Sequence, residues 1–201
     1  MNQMNIYAVL FSVLLLFTSD HHEGTPAPAA VIYIQPLGHV DSLYVKHVAS
    51  TLSSFYHVSC VTLPETALSK DILADSKTRY EASRILHKYN SVNRHVIVIT
   101  EKDIASRKSA SIPEWGIFGL GYCPGNVCVV STFRIRKGVS HQRVLDRLAK
   151  ISIHEVGHNY GLQHCTVDPK CLMNAAHGTI SQVDQEQVRL CTICSQLLQI
   201  H

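Results

Sequence analysis

His154-Glu155-Val156-Gly157-His158-Asn159-Tyr160-Gly161-Leu162-Gln163-His164 is the stretch from which the rest of the chain can be read. On a helix, residues i and i+4 lie one above the other on the same face, so His154 and His158 point together and can hold one metal ion. Glu155 is turned about 100° further around the axis. It stands beside the metal without occupying a ligand position, as a general base for a water molecule. Gly161 can take a positive φ, which ends the helix and turns the chain. That turn returns His164 as a third ligand. Three protein ligands leave the fourth tetrahedral position to water, the mark of a catalytic zinc site and of amide hydrolysis. A bare His-Glu-x-x-His also fits a solvated helix face, but Gly161 and His164 at these offsets weigh against that alternative.

A second set of residues follows at once. Cys165 and Cys171 are separated by five residues, and Cys191 and Cys194 form a C-x-x-C pair. Two cysteine pairs on a connecting segment make a closed tetrahedral zinc site, in which four thiolates leave no open position. Two disulfides, or a redox C-x-x-C, are the alternatives. Between the pairs lies Leu172-Met173-Asn174. A methionine here reads as the tight Met-turn beneath a zinc site, although a lone methionine is more often core filler.

These residues together resemble the archaemetzincin family of zinc peptidases in the metzincin clan. The pattern His154, Glu155, His158, Gly161, His164, Cys165, then Cys171, Met173, and after seventeen residues Cys191 and Cys194, follows the family signature. One departure is visible. The segment Thr166–Lys170 is five residues, where the family has four, and Asp168-Pro169 supplies a turn that can absorb the extra one. The resemblance implies two zinc ions per chain, one catalytic and one structural. It implies a peptide or protein substrate without naming one.

The rest of the composition sets bounds. A chain of 201 residues has room for one domain once its N-terminus is set aside. Net charge is only +3 and no lysine or arginine run appears, so nothing points to nucleic acid. Ile6 to Phe17 is apolar apart from Ser12, too short for a comfortable bilayer span but the length of a signal-peptide core. Residues 1–19 therefore read as a signal peptide or N-terminal membrane anchor, 20–30 as a linker, and 31–201 as the zinc peptidase domain. Secreted or membrane-anchored is the expected location, with cytoplasmic as the alternative that the family resemblance favours. A monomer is expected. Of the remaining cysteines, Cys123 and Cys128 flank a turn and form either a loop disulfide or two thiols, and Cys60 reads as a buried small hydrophobe.

The architecture reads as mixed α/β (α+β), with a largely parallel sheet. Strands are expected at Val31–Gln35, His57–Leu63 and His95–Thr100, alternating with helices at Asp41–Tyr56, capped by Asp41, and Lys77–Tyr89. Ile112–Leu120 and Val127–Thr132 add two extended segments. Trp115–Leu120 is the candidate edge strand for pairing with a substrate backbone. Ser140–Tyr160 is the active-site helix, capped by Ser140. Asp184–Ile200 reads as a C-terminal helix with Asp184 and Gln187 as a capping box and Cys191 and Cys194 on one face. The expected chemistry is peptide-bond hydrolysis by a metal-activated water with Glu155 as base. A non-catalytic zinc-stabilised peptide- or protein-binding module is the alternative. Hydrolysis of a non-protein amide, such as a peptidoglycan cross-bridge, is a third alternative if the protein is exported.

Overall fold

Strands β1 (Val31–Pro36), β4 (His95–Thr100) and β8 (Val127–Ser131) are rich in valine and isoleucine, and almost every residue in them is buried. Such double-sided runs suit a parallel sheet covered on both faces. The computed structural model describes residues 31–176 and 178–198. Its main sheet has the order β2-β1-β4-β8-β7, with β2 at Ser59–Thr62 and β7 at Gly119–Gly121. The first four strands run parallel and β7 pairs antiparallel with β8, so the sheet is mixed and largely parallel. The N-terminal segment and linker, 1–30, lie outside the described residues. Among those described, no helix is long and apolar enough to cross a membrane.

The alternation along β4 divides the core. Ile97 and Ile99 face helices α1 (Ser42–Tyr56) and α3 (His141–Asn159). Val96 and Val98 face α2 (Ala82–Tyr89) on the other side. The Asp41 side chain accepts from the Leu43 amide at 2.8 Å, and Ser140 accepts from Arg143 at 3.4 Å, so both expected caps form. Tyr56 is fully buried and its hydroxyl donates to the Ile153 carbonyl at 2.6 Å, locking α1 onto α3.

Several expectations need correction. The second helix begins at Ala82, not Lys77, because Lys77 has φ 59° and Tyr80–Glu81 (β3) pairs with β5 (Ile104–Ser106). The segment Ile112–Leu120 is not one strand. Trp115–Ile117 (β6) joins β3 and β5 in a small second sheet, while β7 forms the edge of the main one. The helix expected over 184–200 is two short ones, α4 (Ile180–Gln185) and α5 (Thr192–Leu197). Asp184 lies inside α4 and takes a bidentate bond from Arg147, at 2.8 and 2.7 Å, instead of capping anything. Residues between the two helices bond back to the cysteine loop, Gln187 to Lys170 at 3.1 Å and Leu172 to Arg189 at 3.0 Å, and this pairing breaks the helix. Cys60 is half-buried, and Cys123 and Cys128 are separate thiols.

Candidate active site

Helix α3 buries Val144, Leu148, Ile151, Ile153 and Val156 against the sheet and α1, which fixes its rotation. Its end is set by Gly161, at φ 92°, whose amide bonds to the His158 carbonyl at 2.8 Å. The chain then doubles back, and the Leu162 carbonyl receives the Nδ1 proton of His158 at 2.7 Å. His154 likewise presents Nδ1 to the Leu172 carbonyl at 2.8 Å. His164 completes the group, its ring 5.4 Å from that of His154 and 4.8 Å from that of His158. One ring nitrogen from each of the three comes within 4.8 Å of the others.

The tautomers follow from elementary chemistry. A carbonyl oxygen only accepts, so Nδ1 of both His154 and His158 carries the hydrogen. Each Nε2 then bears a lone pair, and the two Nε2 atoms stand 3.0 Å apart. A shared proton does not resolve the clash, because burial pushes His154 down to about 3, with His158 adding to the shift. Burial lowers His158 as well. Two converging lone pairs call for a cation. Zinc at about 2.0–2.1 Å from each nitrogen would hold two tetrahedral ligands roughly 3.3 Å apart, close to what is found. The Nδ1–carbonyl bonds are of the kind that would hold histidine ligands in place.

Glu155 lies next to this group with no room to wander. It is buried, and burial pushes its carboxyl up to about 8. A Cβ placed on Gly119 would stand 2.6 Å from Glu155 Oε1, and one on Gly121 would stand 2.8 Å from the Glu155 carbonyl oxygen. The glycines of β7 thus let the helix carry its carboxyl hard against the strand. Asn159 fixes the far end of this contact by donating to the Tyr122 and Val127 carbonyls, both at 2.9 Å. Met173 is fully buried beneath the helix, and a Cβ on Gly157 would meet its Sδ at 2.7 Å. The missing side chain of Gly157 is what admits the Met173 sulfur so close to the helix.

The cysteines form a separate group. Cys165, Cys171, Cys191 and Cys194 are all buried, with their sulfurs within 4.8 Å of one another despite the extra residue in the loop. Cys165 Sγ and Cys191 Sγ are 3.8 Å apart, too far for a disulfide. The Cys194 amide, at the start of α5, draws the Cys191 thiol down to about 7, and burial pushes Cys171 and Cys194 up. Four sulfurs in tetrahedral reach, one already inclined to ionise, suit zinc and leave no open position.

A cavity of about 270 Å³ opens beside the histidines. Its walls come from three directions: Lys150, Ile151, His154 and Glu155 on α3; Trp115 and Ile117 to Gly119; and Asn174 to Ala176 with Gly178, Val183 and Glu186. The rims meet where the Trp115 ring packs on Gly178, whose added Cβ would fall 2.9 Å from it. The segment from Cys60 to Ile200 matches the model of peptidase family M54.

The chain belongs to that family.

Archaemetzincin relatives agree along nearly their whole length. One from Natronomonas pharaonis is 30% identical over 174 residues, 81% of this chain and 96% of the relative. One from Haloquadratum walsbyi is 28% identical over 178 residues, 84% of this chain and 99% of the relative. The solved archaemetzincin of Archaeoglobus fulgidus, complexed with malonate, superposes with a TM-score of 0.73 at 28% identity, covering 83% of this chain and 99% of that one. Membership in family M54 makes the chain a zinc metallopeptidase. Of the residues singled out in the sequence, the three histidines form one group and the four cysteines another, with Glu155, Gly161 and Met173 beside them. The sequence assigns no role at the site to Gly157, Asn159 or Glu186, and it marks Trp115 and Gly119 only as part of the candidate edge strand Trp115–Leu120.

Proposed function

We propose that His154, His158 and His164 hold the catalytic zinc of this metallopeptidase, and that Cys165, Cys171, Cys191 and Cys194 hold a second, structural zinc. The observation that carries the first assignment is the pair of Nε2 lone pairs 3.0 Å apart, with both Nδ1 atoms committed to carbonyl oxygens. When bound, zinc supplies Lewis acidity, which makes water a better nucleophile at neutral pH and favours charge on a carbonyl oxygen. Glu155 does the proton work. Its carboxylate takes the proton from the attacking water and then delivers it to the leaving amine nitrogen. A dication close by favours the ionised carboxylate over the neutral acid that burial alone selects. The Gly119 contact holds the carboxyl where this exchange occurs. Met173 supports the helix from below, and Gly161 turns the chain so that His164 can reach the cluster. An extended peptide is held along β7, the edge strand next to the cavity.

The test measures zinc and cleavage together. Wild-type protein should carry two zinc ions, one of them removed by brief chelation together with peptidase activity and restored by adding zinc. Glu155→Gln should keep both ions and lose cleavage. A protein that holds one ion, lost only when a cysteine is changed, and that cleaves no peptide would overturn the catalytic assignment in favour of a binding module.

A further inference from the structure

The cavity beside the histidines has polar groups that the proposed chemistry does not use: Asn174, Lys150 and Glu186. Two of them are already engaged. Asn174 Nδ2 donates to the Asp168 and Cys171 carbonyls, both at 2.7 Å. Lys150 Nζ donates to the Val183 carbonyl at 2.7 Å and the Asp184 carbonyl at 3.4 Å. Asp184 itself is closed off by its two bonds from Arg147. Glu186 differs. It is only 6% exposed, and its carboxyl receives one long contact, 3.4 Å from Gln182 Nε2. An ionised carboxylate can accept about four hydrogen bonds.

We propose that Glu186 is the specificity determinant of this cavity, and that the cavity takes a lysine or arginine side chain from a residue flanking the scissile bond. The inference rests on the peptidase reading above and adds to it the class of side chain selected. The remaining walls agree with that ligand. Ile151, Phe118, Ala176 and Val183 offer apolar surface to the methylene stem. The charged head would arrive at the only cavity carboxyl, among the described residues, that neither faces the histidines nor is paired with arginine. Burial pushes the Glu186 carboxyl up to about 7, against the pull of Lys150, so the charge of Lys150 does not compensate it fully. An arriving cation supplies the missing compensation. A substrate with an apolar side chain of equal length would instead seal an unpaired carboxyl in the cavity, which is how a polar site rejects an analogue.

The test compares lysine with norleucine, which has the same stem and no amine. Fluorogenic peptides carry one or the other immediately before or immediately after the scissile bond, and the zinc-loaded full chain is the enzyme. On one of the two sides, lysine should be preferred by about tenfold or more in kcat/KM. Glu186→Gln should bring that ratio to within about twofold, while Glu186→Asp, which keeps the charge, should retain part of it. A wild-type ratio near one on both sides, or a ratio unchanged in Glu186→Gln, overturns the inference. If wild-type protein cleaves none of the peptides, the peptidase reading has failed, and binding decides the inference alone. Trp115 is the single tryptophan of the chain and lines the cavity, so its fluorescence reports occupancy. Lysine peptides should then bind about tenfold more tightly than norleucine peptides to wild type, and equally to Glu186→Gln. Equal binding to wild type would sink the idea.

Discussion

The two clusters are separated by a single peptide bond, His164 to Cys165, yet they are built on opposite plans. The histidines stand at a helix end beside an open cavity, and His154 and His158 are each fixed from outside through the second ring nitrogen. The cysteines are buried in an apolar cluster of their own with Leu162 and Met173. The histidine cluster is assembled on a helix that the core already holds. The cysteine cluster gathers segments that have little other reason to meet: a loop, a turn, and the N-cap and third residue of a two-turn helix. One site is carried by the fold, whereas the other carries part of it.

That contrast can be broken by substitution. Cys194→Ser should be the most damaging change, because structural zinc contributes on the order of 10 kcal/mol or more, comparable with the whole stability of a domain. Loss of the cooperative thermal transition checks it, and a folded Cys194→Ser protein would erase the distinction. His154→Ala should lose one zinc ion and all activity while the transition survives within a few degrees. Glu155→Gln should cut kcat by about 10²–10⁴-fold with both ions retained. Gly119→Ala should lower kcat by about 10²-fold with little loss of stability, because its methyl would displace the Glu155 carboxyl. Steady-state kinetics beside a thermal melt separates these outcomes.

Smaller effects sharpen the same comparison. Arg147→Met leaves Asp184 and the Ile135 carbonyl without their donor and should cost about 2 kcal/mol, or roughly 4–8 °C in Tm. Arg147 holds the Asp184 carboxyl below its ordinary 3.8, so the contribution of this pair is present above pH 3.8 and is lost as pH falls further. A melt series below pH 4 reads it. Glu186 has the opposite sign. Its folded value of about 7 lies above the ordinary 4.5, so its contribution is full below pH 4.5 and disappears as pH rises to 7. Glu186→Gln should therefore gain stability relative to wild type as pH rises through that window, and parallel curves would contradict it.

The histidine cluster was legible because one helix carries two of its members at a spacing fixed by helix geometry, and a glycine marks the turn to the third. The capped helices α1 and α3 and the double-sided strands were legible for the same reason: their determinants lie within a few residues. Features that depend on distant partners were not. β3, β5 and β6 are two or three residues long, too short for a period to show. The Asp184 and Gln187 capping-box pattern reads as the start of one helix over 184–200, but backbone bonds to Lys170 and Leu172 divide it. Gly119 and Gly157 matter only for the side chains that approach them, Glu155 and Met173, which are 36 and 16 positions away in the chain. Glu186 is polar in a polar stretch, and only its burial sets it apart.

The loop from Thr166 to Lys170, one residue longer than the family spacing, is tied at both ends. The Cys165 amide bonds to the Met173 carbonyl at 2.8 Å, Asn174 spans Asp168 and Cys171, and Arg189 pairs with Asp168 at 2.9 Å. Val167, inside the loop, is 65% exposed. Whatever lies between the ties can grow outward without moving either cysteine. The loop is thus a natural port for engineering, where a dye or an affinity handle could be inserted beside both clusters and disturb neither.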